Sequence, residues 1–382
     1  MKKSKYRGAK IPKNVGIRES ISSVLTVMLE KGCFDAILIP MRVPAGDSYA
    51  WILVKDKNLI DDANPIAPIM PVQGAKALSH FTRKGKGGIK VAAIMRPCEI
   101  RATIELSKLN QVNLQNVTLI GYDCPGALPM SEYVQDPEKI EKKFSSVLKK
   151  GDWGEKSVKP VCKICDQFSL LPDCDLHFGV AGDSQNNILM IANSEEGKRI
   201  LKELDMALSG DVSGWSKKIH ELKKKKETKK KEYYKEITNM VEGLDHLNTT
   251  FSDCIGCHNC QSACPICYCR HCYFVSEDSK PDSTSILLRT KSRGSISFPM
   301  DKVLFHVGRM THMSLSCVSC GLCSDACPVS IPVAEVFSYV ANSTQKTFEY
   351  KSGEDIGEPI PLKTYKLEEV KGIEDLVKEA EG

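Results

Sequence analysis

The chain has 382 residues, of which 42% are hydrophobic and 26% charged, with a net charge of only +5 and seventeen cysteines. The apolar share is ample for two or three domains with buried cores, and that many cysteines in so long a chain are too few for a disulfide scaffold. No run of 18 apolar residues exists and the basic start has no apolar stretch behind it, so neither a transmembrane helix nor a signal peptide is expected; the expected compartment is the reducing cytoplasm, where thiols are free, metal-bound or catalytic.

In chain order, residues 20–30 carry helical periodicity, and 35–40 and 50–55 read as strands. A helix is expected over 72–83, a strand over 89–95, a helix over 99–109, and strands over 117–121 and 188–192. This alternation predicts an α/β domain with a largely parallel sheet over residues 1–200. Residues 201–248 read as a helical connector. Within it, the run Lys223–Lys231 lies in a helical stretch that also supplies Ile219, Leu222, Tyr233, Ile237 and Met240. It reads as a solvated helix face dispensable for redox activity; without interleaved aromatic residues it does not read as a nucleic-acid site. Residues 249–345 form the cysteine-rich module, and 346–382 a surface tail ending in an amphipathic stretch, Leu367 to Glu381.

The module contains Cys254-x2-Cys257-x2-Cys260-x3-Cys264-Pro265 and, again, Cys317-x2-Cys320-x2-Cys323-x3-Cys327-Pro328. Each is the run that holds a [4Fe–4S] cube in bacterial ferredoxins, in which the fourth cysteine serves the other cluster. Cys254, Cys257, Cys260 and Cys327 are therefore assigned to one cluster, and Cys317, Cys320, Cys323 and Cys264 to the other. The expected fold is an α/β domain plus a two-cluster ferredoxin-like module joined by the connector. The long insertion, residues 266–316, opens with Cys267, Cys269 and Cys272, which can supply ligands to a further cluster (with Cys174 as a distant fourth) or shield the first one.

A second cysteine set lies in the α/β half. Cys98 and Cys124 follow two strands, at the carboxyl ends where such sheets place ligands, and Pro97 puts Cys98 in a first helical turn that favours a thiolate. Cys162 and Cys165 supply a C-x2-C pair. The four suit one cubane, one tetrahedral zinc, or unrelated roles equally well by count. Cys33 reads as a core residue. No G-x-G-x-x-G fingerprint is present, so an ordinary dinucleotide-binding half is not supported.

Arg96-Pro-Cys-Glu-Ile-Arg-Ala102, Gly121-Tyr-Asp-Cys-Pro-Gly126, Cys162-Lys-Ile-Cys-Asp166, Cys254 to Phe274, and Phe305 to Pro332 with His306, Arg309, His312 and Met313 carry a resemblance. On these the chain resembles the beta subunits of coenzyme F420-reducing hydrogenase and, more closely, of F420-dependent formate dehydrogenase, over most of residues 30–365. The resemblance implies FAD in the α/β domain, a cluster beside it held by Cys98, Cys124, Cys162 and Cys165, hydride exchange between F420 and FAD, and single electrons relayed to a catalytic partner of formate dehydrogenase alpha or hydrogenase type. The alternative is a FAD and iron–sulfur relay without F420, serving a nicotinamide or a heterodisulfide-reductase-like complex. Arg96 and Arg101 flank Cys98 and are the candidate cofactor-binding cations, with Arg83, Lys84 and Lys86 in a glycine-rich turn as weaker ones. His306, Arg309 and Met313 share a helix face, read either as tuning a cluster, as a docking surface, or as packing the insertion.

Overall fold

The structure, a computed structural model, describes residues 7–13, 16–150, 153, 157–181, 187–208, 211–296 and 298–361. Its core is a seven-stranded sheet. The strands are β1 (Arg7–Pro12), β2 (Ala36–Arg42), β3 (Tyr49–Val54), β4 (Val91–Met95), β5 (Val117–Tyr122), β6 (Leu176–Gly179) and β7 (Asn187–Ala192), in the spatial order β1-β7-β6-β5-β4-β2-β3. The expected largely parallel sheet is corrected to a mixed one. β2, β4, β5 and β6 run parallel, but β3 folds back on β2 through a short turn, and β7 and β1 close the other side antiparallel. A short connection allows only antiparallel pairing, whereas parallel neighbours need a crossover.

Around the sheet lie α1 (Ile17–Glu30), α2 (Gly74–Thr82), α3 (Pro97–Lys108), α4 (Met130–Gln135), α5 (Pro137–Lys150), α6 (Pro160–Lys163) and α7 (Glu195–Glu203). Helix α3 starts where it does because Pro97 takes a position with no helical partner for its nitrogen, and because Glu99 Oε2 reaches back to accept from the Arg96 N–H at 2.8 Å. β4 and β5 are in register, Met95 opposite Gly121, and Cys98 and Cys124 follow each by the same number of residues. The two thiols are thus carried to one sheet edge.

The 29-residue α8 (Ser213–Val241) spans roughly 44 Å at 1.5 Å per residue. Its buried stripe is Trp215, Ile219, Leu222, Lys226 and Ile237. At one end Trp215 Nε1 donates to Asp123 at 2.7 Å, beneath the sheet; at the other, Tyr234 hydroxyl meets Ser338 Oγ at 2.8 Å. The helix is a strut between the sheet and the C-terminal region. That region is helical: α9 (Leu244–Thr250), α10 (Asn259–Ala263), α11 (Ser283–Arg293), α12 (Lys302–Met313), α13 (Leu322–Asp325) and α14 (Val333–Thr347). Among the described residues no helix is long and apolar enough to cross a membrane.

The segment after α14 does not begin as a surface tail. Tyr350 and Ser352 are buried, and the Tyr350 hydroxyl and the Gly353 N–H both donate to Glu105 Oε1, at 2.5 and 2.7 Å. Glycine and serine here admit close backbone packing against α3. The amphipathic stretch 367–381 lies outside the described residues.

Candidate redox site

Cys98, Cys124, Cys162 and Cys165 line one cavity of about 430 Å3, together with Arg96, Gly126, Phe168, Lys226, Ser319 and Cys320. Strand ends supply two of the thiols, and α6 with its following turn supplies the other two. Gly126 sits at φ 104°, and a Cβ there would fall 2.9 Å from Val158 and 3.2 Å from the Cys162 Cβ. Only glycine admits both the backbone conformation and the approach of α6 to the cavity.

A second cavity, of about 410 Å3, is lined by Cys264, Cys317, Cys320 and Cys323 with Arg309, Met313 and Phe337. Ser319 and Cys320 stand on the walls of both cavities. A third group gathers around Cys260, which lies within electrostatic reach of Cys254, Cys257 and Cys327. Arg309, on the wall of the second cavity, donates from Nη1 to Cys260 Sγ at 3.1 Å. The three thiol sets are thus joined in a row of contacts, the first to the second through Ser319 and Cys320 and the second to the third through Arg309, and the third includes the exposed Cys257.

The first and second sets are locked together. Lys159, the cap residue just before α6, pairs with Asp325 at 2.5 Å, both nearly fully buried. Asp325 also accepts from the Met130 N–H at 3.1 Å. Gly321, at φ 82°, would carry a Cβ 2.7 Å from Val161.

Charge in the first cavity favours anions. Burial pushes Cys124 up to about 12 and raises Cys165, while the Arg96 guanidinium draws Cys124 down and the Lys226 ammonium does the same for Cys165. Lys226 is buried, donates to the Cys162 carbonyl at 2.7 Å and lies 5.2 Å from the Phe168 ring centre. Thiols so desolvated ionise when a cation shares the cavity. Iron would complete what the two side chains begin. Among the described residues no group of three or more His, Cys, Asp or Glu side chains converges closely enough for a single metal ion.

Compared with curated proteins, the chain is 28% identical over 377 residues to the F420-dependent formate dehydrogenase 1 subunit beta of Methanococcus maripaludis, covering 90% of this chain and 92% of that one. It is 25% identical over 367 residues to the F420-dependent formate dehydrogenase subunit beta of Methanocaldococcus jannaschii, covering 88% and 92%. The chain is a homologue of these beta subunits. It is thus a relative of oxidoreductase subunits. No protein-family model matches the chain. Among solved structures, a chain of the F420-reducing [NiFe] hydrogenase complex from Methanosarcina barkeri aligns with a TM-score of 0.44 at 13% identity, over 64% of this chain and 97% of that one.

Set beside these formate dehydrogenase relatives, the two candidate cofactor-binding arginines have internal partners. Arg96 Nη2 donates to the Ala67 and Ile69 carbonyls, at 2.5 and 3.0 Å. Arg101 donates from Nε and Nη2 to Ser352 at 2.8 and 2.7 Å, and from Nη1 to the Val318 carbonyl at 3.3 Å. Arg101 nevertheless forms part of the wall of an open cleft, with Cys165, Lys230, Tyr234, Cys317, Lys346 and Lys351. The weaker candidates Lys84 and Lys86 are exposed in their turn.

The remaining thiols are more scattered. Cys267 Sγ lies 2.9 Å from Met313 Sδ, Gln261 Nε2 donates to Cys272 Sγ at 3.3 Å, and Cys269 is exposed. Cys174 donates to the Leu176 carbonyl at 2.8 Å, and Cys33 is buried. His306 stacks on Phe251 at 3.9 Å, and burial, with Arg309 nearby, lowers it to about 3, so the ring is neutral. Both His306 ring nitrogens and Arg309 Nε are buried without a hydrogen-bond partner. Arg309 Nε, an unpaired N–H on the side chain that bonds Cys260, suits an acceptor that is not part of the polypeptide. Sequence reasoning missed Lys226 and Lys159, whose charges it placed in solvent or did not weigh.

Proposed function

We propose that this chain is an electron-transfer subunit exchanging hydride between coenzyme F420 and FAD and relaying single electrons through three [4Fe–4S] clusters to a catalytic partner of formate dehydrogenase or hydrogenase type. The row of three connected thiol sets, in a homologue of F420-dependent formate dehydrogenase beta subunits, carries this reading. Cys98, Cys124, Cys162 and Cys165 hold the first cluster, Cys264, Cys317, Cys320 and Cys323 the second, and Cys254, Cys257, Cys260 and Cys327 the third. A flavin would supply the exchange between two-electron and one-electron chemistry that neither a deazaflavin nor a cube performs alone.

The cleft touching Cys165 and Cys317 is the proposed flavin seat, because it reaches one thiol of each of the first two sets. Its wall mixes Arg101, Lys230, Lys346 and Lys351 with Asp166, Glu349 and Glu354, of which Lys230–Asp166 and Lys351–Glu354 are paired, so Arg101 and Lys346 are the cations offered to a pyrophosphate, and Tyr234 gives a ring face. Arg101 contributes by fixing the 350–354 segment that forms part of the wall, whereas Arg96 shapes the first cavity by tying α3 to residues 67–69.

The reading is tested by anaerobic reconstitution with iron, sulfide and FAD, followed by mixing with reduced F420 and a viologen. Oxidation of the deazaflavin coupled to viologen reduction is the expected result. Inertness toward F420 together with viologen reduction by NADH would replace the F420 reading with the nicotinamide-linked relay.

A further inference from the structure

Arg309 stands between the second and third thiol sets, and it is only 2% exposed. Its Nη1 donates to Cys260 Sγ and its Nη2 to the Cys260 carbonyl, each at 3.1 Å. The same side chain lines the second cavity beside Cys264, Cys317, Cys320 and Cys323. Phe305 and Phe337 hold it, with ring centres 5.5 and 4.9 Å from Cζ. None of the ion pairs among the described residues involves it. A buried guanidinium without a carboxylate is costly unless another anion faces it. Among the described residues, the acidic groups that act most on it are cysteines: Cys260 on one side, Cys264 and Cys323 on the other, with Cys267 beside them.

We infer that Arg309 is a shared potential-setting residue for the two C-terminal clusters, acting as a positioning group through Cys260 and as a buried charge on the second cavity. The inference rests on the cluster assignment proposed above. Each one-electron reduction adds a negative charge to a cage and moves no proton, so a fixed cation at the wall favours the reduced form of both neighbours. Hydrogen bonds to sulfur and local net charge are the established levers on cluster potential. Because one residue serves both cages, it raises the two potentials together and keeps the step between them small. The first cage, beyond the Ser319–Cys320 wall, has its own cations in Arg96 and Lys226 and is outside this influence.

The test is an EPR-monitored redox titration of the full-length, reconstituted protein with dithionite. Arg309→Gln is expected to raise the oxidised-to-reduced ratio of the two ferredoxin-type clusters at least tenfold at fixed potential, a midpoint drop of about 59 mV for one electron. The first-cage cluster should not move. Arg309→Lys, which keeps the charge and loses the fork, should give a smaller drop in the same two clusters. Unshifted potentials in an iron-replete glutamine variant would overturn the inference, as would an equal shift of all three clusters. Should the glutamine variant lose iron from a cage, the lysine variant decides: a drop confined to the two C-terminal clusters supports the inference, and no drop overturns it. An unmutated protein that takes up no iron would instead sink the cluster assignment itself, and this inference with it.

Discussion

Lys226 shows how one residue can stand against the reading of its neighbourhood. It falls in a run of lysines, yet it follows Leu222 by four positions, as Ile219 follows Trp215, and so lands on the stripe that α8 buries. Its stem packs in the interior and its ammonium satisfies the Cys162 carbonyl, while Lys224, Lys225 and Lys229 are exposed. Replacing any of these three by alanine should change stability by no more than about 0.5 kcal/mol. Lys226→Met preserves the stem but leaves a carbonyl without its charged donor, which should cost about 1–3 kcal/mol and loosen iron retention in the first cage. Urea unfolding and iron counts on the four variants check this; a silent Lys226→Met would return the whole run to the status of a solvated face.

Asp123, next to Cys124, makes the same point from the interior. It is fully buried and accepts from Ser169 at 2.5 Å, His177 Nε2 and the Val180 N–H at 2.8 Å, Trp215 at 2.7 Å and the Ala181 N–H at 3.0 Å. His177, Trp215 and Ser169 come from three separate segments, so one carboxylate fixes the strand end that carries a proposed ligand.

At the scale of elements, the contact of α6 with α13 joins the sheet half to the cysteine-rich half. Its Lys159–Asp325 pair is buried, and removing one partner of such a pair strands the other charge. Lys159→Met alone should therefore destabilise by roughly 3–5 kcal/mol. Adding Asp325→Asn to it should recover part of that loss, because the stranded charge is gone while the Met130 N–H keeps an acceptor. A double variant no more stable than the single one by urea unfolding would show that the pair has no such coupling.

None of this joint was legible in the sequence. The strands β2, β3, β4, β5 and β7 were, since each is a short apolar run, and so were the bodies of α3 and α8. β1 and β6 were not: β1 is a six-residue edge strand of mixed polarity, and β6 has four residues, of which buried His177 is held by Asp123. The cysteine spacings announce the thiol sets because a ligand run is local. Lys159 to Asp325, or Arg101 to Ser352 across 251 positions, joins residues with no local pattern to mark them.

For the whole molecule, the consequence of the row is directional order. The cleft touches the first and second thiol sets, and the third includes exposed Cys257, flanked by exposed Ile255. On the proposed assignment, electrons entering at the cleft would have the second cage between them and the outer end. Cys162→Ser and Cys323→Ser should each remove about four irons, one cube, but with different effects on flow. The first leaves both ferredoxin-type EPR signals in place. The second leaves the two end cages and breaks the row. On mixing with reduced F420 and freezing at millisecond intervals, the Cys323→Ser protein should show the first-cage cluster reduced as in the parent and the outer cluster reduced at least about tenfold more slowly, if electrons reach it past the Ser319–Cys320 and Arg309 walls. An outer cluster reduced at the parental rate in that variant would mean that electrons reach Cys257 by another path, and that the three sets, although adjacent, do not act in series.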